Sequence, residues 1–80
     1  MYIKLTSYIE QQLLSGNSDI RILPEDDLLG SGLIDSMGMI NLIAFIENNF
    51  NVVIPAEDMI IENFMTIKHI ERYIIKRKSL

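Results

Sequence analysis

The stretch Leu29, Gly30, Ser31, Gly32, Leu33, Ile34, Asp35, Ser36, Met37, Gly38, Met39, Ile40 is where a flexible loop gives way to an apolar periodic segment. Its glycines open backbone angles closed to other residues, and a short Asp/Ser pair is the chemistry of a helix start. A helix is therefore expected from Asp35 or Ser36. A serine there holds its hydroxyl at the positive end of the helix dipole, among backbone N–H groups without intrahelical partners, a place that tolerates a phosphate ester. Ser36 is on this reasoning a candidate modification site, with an ordinary N-cap serine as the competing reading.

Downstream of Ser36 the helical pattern runs to Phe50 with two apolar faces. At about 100° per residue, Met39, Leu42, Ile43, Ile46 and Phe50 share one side, which belongs in a core. Met37, Ile40 and Ala44 share another with Ser36, Glu47 and Asn48. That second stripe is either an exposed docking face beside the modified serine or a surface packed under the preceding loop; helical spacing alone leaves both open.

Upstream, Tyr2, Leu5, Ile9 and Leu13 fall at helical spacing, so the first fourteen residues read as an amphipathic helix ended by Ser15, Gly16 and Asn17. Residues 17 to 34 form a long connection, with Ile20, Ile22, Leu23, Leu28 and Leu33 expected to tack it to the core and Glu25, Asp26 and Asp27 read as a solvated acidic rim. Beyond Phe50, residues 51 to 55 make an extended link and residues 56 to 64 hold a brief helical turn or two. Thr66 is a cap for a last helix whose apolar face is Ile67, Ile70, Tyr73 and Ile74 and whose end is basic, Lys76 to Lys78. Three main helices and a minor one make a small all-α four-helix bundle the economical architecture.

Eighty residues suit one domain, residues 1–80, with a modest core. There is no cysteine, so thioester chemistry needs a sulfur brought by a prosthetic group. No apolar run approaches the roughly eighteen residues of a membrane span, and residues 1–14 do not pattern as a signal peptide, so a cytoplasmic location is expected. The formal net charge of −4 is uneven: residues 22 to 67 carry eight acids and no Lys or Arg, whereas residues 68 to 80 carry five cations against Glu71. Nucleic acid is disfavoured as a partner, and a basic protein surface is favoured.

Gly32, Leu33, Ile34, Asp35, Ser36 and Met37, followed by Phe50, Ile54 and Pro55, resemble the acyl and peptidyl carrier proteins. That family's motif centres on Asp-Ser-Leu, with the serine oxygen esterified by 4'-phosphopantetheine from coenzyme A. Met37 replaces the commoner leucine at similar volume, and the similarity runs from about Pro24 to Tyr73. The resemblance implies a four-helix bundle of the acyl carrier type with a long first loop. It marks Ser36 as the attachment point and Asp35 as part of the signature met by a phosphopantetheinyl transferase, with helix capping the competing and compatible reading of Asp35; it implies a non-catalytic carrier of acyl or aminoacyl thioesters. Met37, Ile40, Ala44 and Glu47 are then the expected partner face, and the further partners are a loading enzyme and downstream biosynthetic enzymes meeting a monomer.

Carriers of primary fatty acid synthesis have several acids along this helix, whereas Glu47 is its only acid after Asp35. Asn41, Asn48 and Asn49 stand along the same segment. That departs from fatty acid service, and the Ile54-Pro55 turn with Glu62, Asn63, Phe64 and Thr66 looks more like discrete carriers of specialised pathways, polyketide, nonribosomal peptide or aminoacyl. The competing class is an unmodified helical interaction module binding through Met37, Ile40 and Ala44. Three other readings fail: a Ser36/His69 hydrolase triad lacks the glycine that a nucleophile elbow needs at Ile34, a calcium loop over residues 27–38 lacks ligands at Leu29 and Gly38, and His69 is a lone histidine.

Overall fold

The structure, a computed structural model, describes residues 2–13 and 21–79. Among these all the regular structure is helical, without a strand. Helix α1 (Tyr2–Tyr8) passes into a π-helical turn (Ile9–Leu13); α2 (Ser36–Phe50) follows the long connection; a 3-10 turn (Ala56–Asp58) and the short α3 (Ile61–Phe64) lead to α4 (Ile67–Lys78). This is the expected bundle of three main helices and a minor one.

One core joins the elements. Leu5 and Ile9 from the first helical segment, Leu42, Ile43 and Ile46 from α2, Phe64 from α3 and Ile67, Ile70, Tyr73 and Ile74 from α4 are buried together. Each fully buried Leu, Ile or Phe contributes about 1.5–3 kcal/mol relative to exposure. Met39 and Phe50 lie half-buried against this cluster, on the face of α2 expected to point inward. Phe45, between the two expected faces, stacks on Tyr8 at 4.0 Å and meets Phe50 edge-on, so aromatic packing joins α1 to α2. The side chain of Leu13, the expected stop at Ser15, Gly16 and Asn17, and Ile20 lie outside the described residues.

The long connection is fastened at intervals. Ile22 is buried; its N–H donates to the Glu10 carboxylate at 2.8 Å and its carbonyl accepts from the Tyr2 hydroxyl at 3.1 Å. Leu28 and Ile34 are buried, while Leu23, expected to tack the loop down, is 60% exposed. Its place is taken by backbone bonds: Lys68 N–H to the Pro24 carbonyl, Leu28 N–H to the Met65 carbonyl, and Ile34 N–H to the Leu28 carbonyl. Nor are the acids merely solvated. Asp26 accepts from the Leu23 N–H and Asp27 from the Gly30 N–H, so two of the three close local turns, while Glu25 is exposed.

After Phe50 the chain turns at Asn51, whose left-handed backbone (φ 58°) ends α2. The Glu47 carboxylate then holds the extended link by accepting from the Ile54 N–H at 2.9 Å, and Lys78 donates to the Phe50 carbonyl. Thr66 caps α4, its hydroxyl accepting from the His69 N–H. Tyr73 ties α4 to the 3-10 turn by donating to Asp58 at 2.7 Å, with Arg77 4.0 Å from the same carboxylate oxygen. Burial first, and then the bond to Asp58, push the Tyr73 hydroxyl from 10 up to about 12.

A tyrosine whose folded-state pKa lies above its unfolded value stabilises the fold below pH 10 and loses that contribution as pH rises through about 12. Stability measured by urea unfolding should therefore decline across that window. In Tyr73→Phe the decline should be shallower; an unchanged slope would show that Tyr73 is not its source.

Candidate functional site

The junction of loop and α2 is built by local chemistry. Gly32, with φ +81°, takes a backbone conformation that side-chain-bearing residues rarely adopt and turns the chain toward the helix. Just before it, Ser31 donates its hydroxyl to the Asp27 carbonyl. Ile34 then enters the core at 3% exposure, and Asp35 is the N-cap in extended conformation (φ −92°, ψ −175°). The Asp35 carboxylate accepts from the Gly38 N–H at 2.7 Å, while its carbonyl accepts from the Met39 N–H at 2.9 Å. Helix capping is thus a role Asp35 fills, and α2 begins at Ser36 as expected.

Ser36 is exposed in the first turn of this fifteen-residue helix. Among the described residues no group bonds its hydroxyl. An exposed, unengaged hydroxyl at a helix N-terminus fits a phosphodiester link: the oxygen is accessible to an incoming enzyme and the helix end favours the anion it would gain. A shallow hollow of about 120 Å³, lined by Gly32, Leu33, Ile34, Asp35 and Gly38, adjoins the serine.

The stripe beside Ser36 does not pack under the loop. Met37 is 65% and Ile40 60% exposed, and Ala44 is exposed as well. Glu47 is different, half-buried and already bonded to Ile54, so its charge sits at the edge of the stripe on a tethered side chain. Val53, Met59, Ile60 and Ile61 are also exposed, which the sequence reading missed although Met59, Ile60 and Ile61 form a consecutive apolar run. His69 bonds the Thr66 hydroxyl through Nδ1 at 2.7 Å, and no group of metal-ligating side chains occurs among the described residues. Among those residues no helix is long and apolar enough to cross a membrane.

The family model described as a phosphopantetheine attachment site matches residues 4–74. The chain belongs to this family. Its members are carriers, not themselves catalysts, and their cofactor is covalent 4'-phosphopantetheine. Among relatives, the D-alanyl carrier protein of Streptococcus suis strain 98HAH33 is 35% identical over 52 residues, 65% of this chain and 66% of that protein. The chain thus spans just under two thirds of that relative's length. Aminoacyl carrier protein 2 of Bradyrhizobium diazoefficiens is 32% identical over 71 residues, 89% of this chain and 74% of that protein. A chain in the crystal structure of the Bradyrhizobium japonicum glycine:carrier protein ligase complexed with glycylated carrier protein superposes with a TM-score of 0.68 at 28% identity, covering 89% of both chains. The all-helical fold is therefore that of the acyl carrier type.

Removing the cap tests the local account. Asp35→Ala should cost about 1 kcal/mol in chemical denaturation, and Asp35→Asn much less, because the amide oxygen still accepts from the Gly38 N–H. Equal losses in the two would show that charge, not the cap bond, is what α2 uses.

Proposed function

We propose that this chain is a single, monomeric, cytoplasmic carrier domain, without catalysis of its own, that is modified at Ser36 and carries aminoacyl groups. The observation that carries this reading is the unengaged, exposed Ser36 hydroxyl on a capped helix end within a chain of the phosphopantetheine family. The group supplies a terminal thiol on a flexible tether, which holds an acyl or aminoacyl cargo as a thioester and presents it at high effective concentration.

The protein's own residues position and present. Asp35 fixes the first turn so that the Ser36 hydroxyl faces outward for a phosphopantetheinyl transferase. Met37, Ile40 and Ala44 offer apolar contact to the transferase, to a loading ligase and to downstream enzymes, and the acidic middle of the chain, Glu47 included, guides approach to basic partner surfaces. An aminoacyl cargo is supported by the company the sequence keeps, a D-alanyl carrier, an aminoacyl carrier and a glycylated carrier complex, and by the scarcity of acids on α2.

Incubation with coenzyme A and a broad-specificity phosphopantetheinyl transferase should add one phosphopantetheine to the intact mass, and Ser36→Ala should take none while keeping its fold. No gain with a transferase proved active on another carrier would favour the unmodified interaction module. Ile40→Asp should slow loading with little change in stability; a fall in stability at unchanged loading would return Ile40 to a packing role.

A further inference from the structure

Resting on the reading of Ser36 as the attachment point, we propose that Gly38 is a positioning residue: its missing side chain lets Ile34 lie against the first turn of α2 and so fixes the direction in which the Ser36 hydroxyl is presented. A Cβ built on Gly38 would stand 2.9 Å from the Ile34 Cγ2 methyl and 3.3 Å from the Asp35 carboxylate oxygen that caps the helix. Carbon atoms in good contact sit about 3.5–4.0 Å apart, so something must move.

Ile34 cannot easily be what moves. Its Cγ2 hangs from a branched Cβ with restricted rotation, the residue is buried in the core at 3% exposure, and its N–H is bonded to the Leu28 carbonyl, itself part of a residue bonded to Met65. The strain therefore falls on the other side of the contact, the cap bond from Gly38 to Asp35 and the turn that contains Ser36. Gly38 thus serves twice, as the donor that the cap accepts and as the gap that the loop fills.

Glycine to alanine within a helix raises stability, because alanine loses less backbone freedom on folding. If Gly38 were only a helical residue, Gly38→Ala would load as well as the parent or better. A positioning role predicts a loss in the chemical step, since small displacements of a reacting group reduce rates severely.

The test measures transferase kinetics with coenzyme A on the parent, Gly38→Ala, Ile34→Leu and the double variant, with thermal unfolding recorded for each. Leucine keeps the volume of isoleucine but lacks the Cγ2 methyl, so it relieves the contact. Gly38→Ala should lower kcat by about tenfold with KM little changed and the fold intact, and the same substitution made on Ile34→Leu should cost several times less. Parent-like kcat in Gly38→Ala, or an equal loss in the Ile34→Leu background, overturns the proposal. If Gly38→Ala does not fold, the double variant decides, since relief of the contact requires it to fold and load close to Ile34→Leu. Failure of the parent itself to load would instead count against Ser36 as the attachment point.

Discussion

Leu28 holds the bundle and the site together. Its side chain is fully buried, its N–H donates to the Met65 carbonyl at 2.8 Å just before α4, and its carbonyl accepts from the Ile34 N–H at 2.9 Å just before α2. A buried backbone that lacked such partners would lose about 1–3 kcal/mol per unsatisfied group. One residue thus fastens the start of α4 to the start of α2, and the long connection becomes a fixed strap. The Lys68 bond to Pro24 and the Glu10 bond to Ile22 fasten the strap further upstream.

A fixed strap matters because the proposed attachment residue, Ser36, is exposed. Ser36 is exposed and its hydroxyl has no partner among the described residues, so its position is inherited from Ile34, Asp35 before it and the cap bond to Gly38 after. Rigid support beneath an exposed hydroxyl suits a protein that successive enzymes must find in one geometry. Acidic side chains do much of the supporting: Glu10, Asp26, Asp27, Asp35 and Glu47 all accept from backbone N–H groups, and Asp58 from the Tyr73 hydroxyl. The negative charge in the middle of the chain is therefore partly structural, and what remains free at Glu25, Glu57 and Glu62 is exposed.

Features that depend on near neighbours were legible in the sequence. The cap at Asp35, the cap at Thr66 and the inward faces of α2 and α4 follow from spacing of three or four residues. Features that depend on distant partners were not: nothing local joins Leu28 to Met65 or Glu47 to Ile54. Leu23 was misplaced because an apolar residue in a loop needs no burial when backbone bonds hold its neighbours. The turn-closing role of Asp27 does have a local signal, Gly30 three residues on, which charge alone does not report. The exposed stripe was left ambiguous by periodicity, which reports that two faces exist and not which of them a loop covers.

The prosthetic group can join the chain at one residue only, and which one is directly measurable. Fragmentation mass spectrometry of the loaded protein would locate it among the serines, of which Ser31 and Ser36 share the same glycine-rich stretch. The structure distinguishes them: the Ser31 hydroxyl is spent on the Asp27 carbonyl, while that of Ser36 has no partner among the described residues. The added mass is expected on Ser36 alone; its appearance on Ser31, or on any other residue, would contradict attachment at the helix start.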